Sequence, residues 1–289
     1  EHFLKAGDVL RARVCLCNES WWLRENSTPK ESCFDGVLSF KTFLRWDEDK
    51  CDKKWIDRNK VHLLLYAVSH NDAHVVESIL KSDIDVRNRL NIIVFDYGLD
   101  DLGIPAQLSV LHIAMSCASV SIVKMLLESG ANPYINDKYG VDSLMCACTL
   151  GRVKNVKFWL SKFQDWDIHR GNAINGSTAL HCAIYFGRNK MKTVQALLEN
   201  SQASLDVLNH GGASVLCNAV NSVDSNVDLI RYLLSKGLKF GVNHRRQSQT
   251  VKWKTIYSIA RGLFRTRLVR SGLLAELASD PGSTPLQHA

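Results

Sequence analysis

Two adjacent side chains pose the first chemical question in this chain. His181 and Cys182 stand together in "GSTALHCAIYFG", residues 176–187. An imidazole beside a thiol suits a thiolate nucleophile with its base, or half of a metal site. His112 occupies the related stretch "SVLHIAM". Cys15, Cys17, Cys33 and Cys51 lie in a stretch that also holds Trp21, Trp22, Trp46 and Trp55. A zinc site there would want paired C-x₂₋₄-C knuckles, and C-x-C followed by two lone cysteines lacks them. Asp96, Asp100 and Asp101 fall in "NIIVFDYGLDDLGIPAQ", without the alternating ligands of a calcium loop, and read as solvated loop charges. No G-x-S-x-G, P-loop, G-x-G-x-x-G, H-E-x-x-H or kinase signature is present. The expectation is therefore no catalytic residue, no metal and no cofactor.

The elements that carry these residues recur. "DKYG", "NAING" and "NHGG" end at Gly140, Gly176 and Gly212, spaced 36 apart. Two or three residues after each glycine a helix-like run begins: "DSLMCAC", "TALHCAI" and "SVLCNAV". "SVLHIAM", from Ser109, belongs to the same set. About eleven residues further on, each run is followed by a second apolar block, such as "IVKMLLESGA" or "NVKFWLSKF". Ser109, Asp142, Thr178, Ser214, Thr255 and Thr284 fill the slot before the first run, and each can accept bonds from free helix N–H groups. The three glycines sit where a tight turn needs positive φ. One helix pair cannot bury its own apolar face, so neighbouring pairs must stack.

This pattern resembles the ankyrin repeat, most closely in "SVLHIAMSCASVSIVKMLLESGANP" and in residues 176–198, with a weaker copy in "HLLLYAVSHNDAHVVESILKSDIDV". The resemblance implies an all-α solenoid of stacked helix-turn-helix pairs with short β-hairpin fingers. It divides the chain into residues 1–14, the tail of a preceding repeat; residues 15–60, an insertion; and residues 61–289, an array of about five repeats. The last repeat is truncated, and a lengthened finger covers 88–108. Both ends cut through repeats, which reads as a segment of something longer. "TIYSIARGLFRTRL" also resembles a SOCS box, but Ile259-Ala260-Arg261 stands where that family has Leu-Cys-Arg, and a repeat restarts at Thr284. A diverged repeat is the expectation there.

The slot of His112 and His181 holds Met145, Cys217 and Gln287 in the other copies. A shared catalytic base cannot be exchanged for methionine, whereas a buried structural group can. The resemblance implies that these histidines brace the neighbouring turn. It also implies partner contacts on the concave side: finger positions Tyr134, Lys138, Tyr139 and Arg170, with Asn172, Asn175, Asn209 and His210, and inner-helix positions Leu150, Tyr185, Phe186, Asn218 and Asn221. Exposed aromatics and aliphatics at Leu150, Tyr185 and Phe186 would suit interface anchors.

Composition bounds the rest. At 289 residues with 46% hydrophobic and 22% charged residues, the chain reads as globular. Nine cysteines without a disulfide-framework spacing point to a reducing compartment, cytoplasmic or nuclear. No apolar run approaches a membrane span. The net charge is +7, and residues 229–275 contain eleven Lys/Arg and no Asp or Glu. That bias favours an acidic protein partner, with RNA or anionic lipid as weaker alternatives. The expected role is a monomeric, non-catalytic protein-interaction scaffold. The alternative is the substrate-recruiting arm of a larger ubiquitin ligase or kinase.

Overall fold

A computed structural model of the chain describes residues 64–289, apart from 66, 83, 89, 92–94, 100–103, 138, 188, 223–225, 267–276 and 289. The expected repeat tail and insertion at 1–14 and 15–60, with their cysteines and tryptophans, lie outside the described residues. So do Lys138, Asp100 and Asp101. The described residues fall into two compact units, divided between Lys138 and Tyr139.

In the first unit, α1 (Ala73–Ser82) packs on α2 (Ile84–Asn88). An antiparallel hairpin follows, β1 (Phe95–Leu99) with β2 (Ile104–Leu108), in a register that sets Phe95 opposite Leu108. It lies in the stretch where a lengthened finger was expected. Then come α3 (Val110–Cys117) and α4 (Val120–Glu128), with α4 packed on both α3 and α1. Asn91 ties the unit together across about forty residues. Its amide donates to the Gly130 carbonyl at 3.0 Å, and its Oδ1 accepts from the Asn132 N–H at 2.7 Å.

The second unit repeats one plan. Short inner helices α5 (Ser143–Thr149), α7 (Ala179–Tyr185) and α9 (Val215–Val220) alternate with outer helices α6 (Val153–Lys162), α8 (Lys190–Asn200) and α10 (Val227–Ser235). Helix α7 packs between α5 and α9, while α8 packs against both α6 and α10. Helices this short are unstable in isolation, so packing must supply what propensity cannot. Leu144, Leu180 and Leu216, one per copy, are each 2% exposed or less, as is Leu111 on α3 of the first unit, and burying one such side chain is worth about 1.5–3 kcal/mol. Trp159 gives α6 a larger anchor. It is fully buried, with its ring 4.7 Å from Phe163 and 5.1 Å from Trp166.

The local cause of each inner helix is its cap. Ser109, Asp142, Thr178 and Ser214 all hold extended backbone, and each side-chain oxygen accepts the N–H three residues on, at 3.4, 2.7, 3.5 and 3.3 Å. Gly140, Gly176 and Gly212 take φ of +73°, +71° and +83°.

The last copy departs from the sequence expectation. In the third finger of this unit the Asn209 N–H donates to the Ala213 carbonyl, and the Gly212 N–H to the Asn209 carbonyl. The equivalent bonds in the next finger run from the Arg246 N–H to the Ser283 carbonyl and from the Gly282 N–H to the Arg246 carbonyl. Thirty-six positions now separate residues that stood three apart. The finger is split by an insertion, and its base is closed by a buried ion pair, Arg246 Nη1 to Asp280 Oδ1 at 2.6 Å. Inside the insertion lies α11 (Val251–Thr266), a 16-residue helix. Thr255 is therefore no cap. Its Oγ1 donates to the Val251 carbonyl at 3.1 Å from within the helix, and Thr250 Oγ1 accepts the first-turn N–H of Trp253 at 3.3 Å. Residues 251–266 are a single inserted helix and not a diverged helix pair. The repeat plan resumes at Thr284 with α12 (Pro285–His288), which packs on α9.

Candidate functional site

The His181–Cys182 pair is built for packing. Both residues are buried on α7, at 1% and 0% exposure. The Thr178 N–H donates to His181 Nδ1 at 3.3 Å, and Thr178 Oγ1 lies 3.0 Å away, so the neutral ring carries its proton on Nε2. That Nε2 faces the Ala213 backbone of the next finger, without a bond of ordinary geometry. Burial lowers the imidazole to about 4. Burial, followed by the Asp142 carboxyl and Cys146, pushes the Cys182 thiol far above its ordinary value. A thiolate–imidazolium pair is thus disfavoured on both sides. His112 repeats the arrangement, with its Nδ1 3.3 Å from the Ser109 N–H and 2.7 Å from Ser109 Oγ. In the last copy Gln287 Oε1 accepts the Thr284 N–H at 2.8 Å, the same bond made by an amide. Among the described residues, no group of three His, Cys, Asp or Glu converges on a metal position, and no helix is long and apolar enough to cross a membrane.

The fingers of the second unit bond directly to one another. The Ala173 N–H donates to the Tyr139 carbonyl at 2.7 Å, the His210 N–H to the Asn175 carbonyl at 2.6 Å, and the Gln249 N–H to the His210 carbonyl at 2.8 Å. The glycines allow this approach. A Cβ on Gly176 would run into the His210 ring, and one on Gly212 into the Gln247 backbone. Arg170 adds a guanidinium bond to the Gly140 carbonyl at 3.1 Å.

The positions expected to meet a partner separate into distinct environments. In the first unit Tyr134 is 66% exposed. In the second, Tyr139, Arg170, Leu150, Phe186 and Asn221 are half-buried. Tyr185 is not an exposed anchor. It is 7% exposed, its ring packed edge-on against Phe186 at 4.6 Å. Asn218 is likewise buried at 5% exposure, and Asn172, Asn175 and Asn209 are buried inside the fingers. Leu150, Phe186 and Asn221 share one place, the C-cap of α5, α7 and α9. Since α7 packs between the other two helices, they form a half-exposed column across three copies.

The sequence model described as ankyrin repeats matches residues 64–170 and 144–244, in three copies. The chain belongs to the ankyrin repeat family. Repeat arrays of this kind present extended surfaces to other proteins, so the repeats imply protein–protein interaction. Among curated proteins, Arabidopsis thaliana XBAT31, named as a candidate E3 ubiquitin-protein ligase, is 33% identical over 96 residues. The match covers 33% of this chain and 20% of that protein, so the chain spans about a fifth of the relative's length. Among solved structures, the ankyrin repeat domain of Bcl-3, described as a unique member of the IkappaB family, is 23% identical, covering 78% of this chain and 93% of that one, with a TM-score of 0.48. The ankyrin repeat protein EF0377 is 22% identical, covering 75% and 98%, with a TM-score of 0.47.

One feature of this ankyrin array escaped the sequence reading. Helix α11 lies on the finger tips. Trp253 Nε1 donates to the Ile174 carbonyl and the Tyr257 hydroxyl to the Gly211 carbonyl, both at 3.0 Å. The two rings meet at 5.5 Å. His210, beneath, is held below its ordinary value by burial and then by the Lys252 ammonium. The spacing gave no signal, because 36 residues separate Arg246 from Gly282, the same interval as between Gly176 and Gly212.

Proposed function

We propose that this chain is a non-catalytic scaffold that binds another protein along the C-terminal ends of its inner helices. The column Leu150, Phe186 and Asn221 carries the reading. It is half-exposed and recurs in register across three copies, while the helices beneath it are buried almost completely. A leucine and a phenylalanine over a rigid base suit interface anchors, which bind with little reorganisation. Tyr185 supports Phe186 from below and contributes through that ring. The test is affinity capture from cell extract with the wild type and with L150A/F186A/N221A, after matching far-UV circular dichroism and melting. Loss of the captured proteins supports the column, and an unchanged set removes it.

A second reading has the array recruit substrates for a ubiquitin ligase whose catalytic part lies outside these residues. The identity to XBAT31 over 96 residues supports it. Ubiquitylation assays with the full-length protein test this reading. Ubiquitin transfer to captured partners, lost in L150A/F186A/N221A, would favour it over a passive scaffold, and no transfer would remove it.

A further inference from the structure

Helix α11 covers two finger tips, and so replaces the surface they would offer with its own outer face. Trp253 and Tyr257 turn inward to the Ile174 and Gly211 carbonyls, and Tyr257 and Ala260 are each 3% exposed. Lys254, Ser258, Arg261 and Arg265 follow one another at intervals of four, three and four residues, which places them in a single row on a helix surface. All four are exposed. The row runs about 16 Å at the helical rise of ~1.5 Å per residue. Arg261 is partly fixed, because its Nη2 donates to the Pro281 carbonyl at 3.1 Å. From Leu229 to Ala275 the sequence holds no Asp or Glu.

Three classes of acidic partner could meet such a row, and the rest of the helix chooses among them. The exposed apolar residues Val251, Ile259 and Phe264 are 82%, 57% and 51% exposed. At about 100° per residue they point in three different directions, roughly 80° and 220° apart from the first. No single apolar face is available to enter a bilayer. RNA binding would want several aromatic rings free to stack on successive bases; Trp253 and Tyr257 are committed to finger carbonyls, which leaves Phe264 as the single exposed ring of α11. A carboxylate-bearing polypeptide needs only the cations, held at fixed spacing on a helix that is clamped from beneath.

We propose that the Lys254–Arg261–Arg265 row docks an acidic segment of a partner protein, one presenting at least three Asp or Glu side chains within about 16 Å. This rests on the scaffold reading and names the chemistry of its partner, but it uses a face other than the Leu150–Phe186–Asn221 column. The experiment is fluorescence anisotropy of the full chain with a labelled twelve-residue peptide that alternates Glu with neutral residues. Binding should occur at low salt and weaken as salt rises. K254E/R261E/R265E should weaken it at least tenfold, and K254A/R265A, which leaves the Arg261–Pro281 bond in place, should weaken it several-fold. K154E/K157E/K192E makes the same change in net charge on the exposed faces of α6 and α8 and should leave binding within twofold. Equal weakening by the two charge-reversed triples would reduce the effect to net charge and overturn the proposal. So would absent peptide binding, whether or not phosphatidylserine vesicles or single-stranded RNA bind instead. L150A/F186A/N221A should bind the peptide like wild type, so failure of the row and failure of the column are read separately.

Discussion

Replacing Gly212 with alanine tests whether finger-to-finger contact, and not only turn geometry, holds the second unit together. Gly212 has φ of +83°, and Gly237 has φ of +68°. The two share the conformational penalty for a side chain in left-handed backbone, about 1–2 kcal/mol. They differ in what surrounds them. A Cβ on Gly237 meets nothing within 4 Å, whereas one on Gly212 would stand 2.5 Å from the Gln247 carbonyl carbon and 2.6 Å from its nitrogen, with the oxygen nearer still. Ordinary carbon contacts lie at about 3.5–4.0 Å, so the Gln247 backbone must retreat by roughly 1 Å. That retreat strains the bonds on either side, Gln249 N–H to the His210 carbonyl at 2.8 Å and Arg246 N–H to the Ser283 carbonyl at 2.9 Å. Each such bond is worth about 1 kcal/mol net. G237A should therefore cost about 1–2 kcal/mol and G212A about 3–4 kcal/mol. Urea unfolding gives the totals, and native-state hydrogen exchange at residues 209–213 and 245–249 locates the loss. Equal costs for the two variants, or unchanged exchange at 245–249 in G212A, would refute the close-approach reasoning.

His181 titrates near 4 when folded against 6.5 ordinarily, so the unfolded chain binds its proton first. Its contribution is intact above pH about 6.5 and is lost as pH falls toward 4, by on the order of 3 kcal/mol. H181M, which borrows the residue of the adjacent copy, should flatten the fall in urea midpoint between pH 7 and 4.5. The buried Asp142 carboxyl, raised by burial, is common to both proteins, so an unchanged slope would contradict the imidazole assignment. W159A removes a fully buried indole and should cost about 3–5 kcal/mol by urea unfolding; a loss below 1 kcal/mol would mean the aromatic cluster closes over the gap. Burial pushes the Cys148 and Cys182 thiols up, so iodoacetamide at pH 8 should label half-buried Cys117 well before either. Comparable labelling of Cys182 by mass spectrometry in the folded protein would show that α7 opens on the alkylation timescale.

Much of this architecture was legible because it repeats. The positive φ of Gly140, Gly176 and Gly212 and the caps at Ser109, Asp142, Thr178 and Ser214 are local backbone requirements, satisfied by residue type alone. The inserted helix was misread for a reason of phase. Gly282 lies 70 residues beyond Gly212, close to two intervals of 36, so the insertion imitates one more copy. Thr255-Ile-Tyr-Ser-Ile-Ala then resembles Ser214-Val-Leu-Cys-Asn-Ala closely enough to be taken for a cap and inner helix. What decides otherwise is long-range: the bonds of Trp253 and Tyr257 to finger carbonyls 79 and 46 residues away. Tyr185 shows the same limit on a smaller scale. Its slot predicts exposure, and the side chain is instead 7% exposed, with its ring edge-on to Phe186.

The bond from Trp253 to Ile174 changes how the array should come apart. In a repeat protein each unit ordinarily senses only its immediate neighbours, so stability behaves as a sum along a line and unfolding can begin at an end and spread. Helix α11 belongs to the finger closed by Arg246 and Gly282, yet it grips the finger before it through Gly211 and the one before that through Ile174. That is a next-nearest-neighbour coupling. It makes the terminal copy costly to fray alone, because releasing it also frees two fingers upstream. Residues 172–283 should therefore melt as one cooperative block, in an architecture whose default is to unzip.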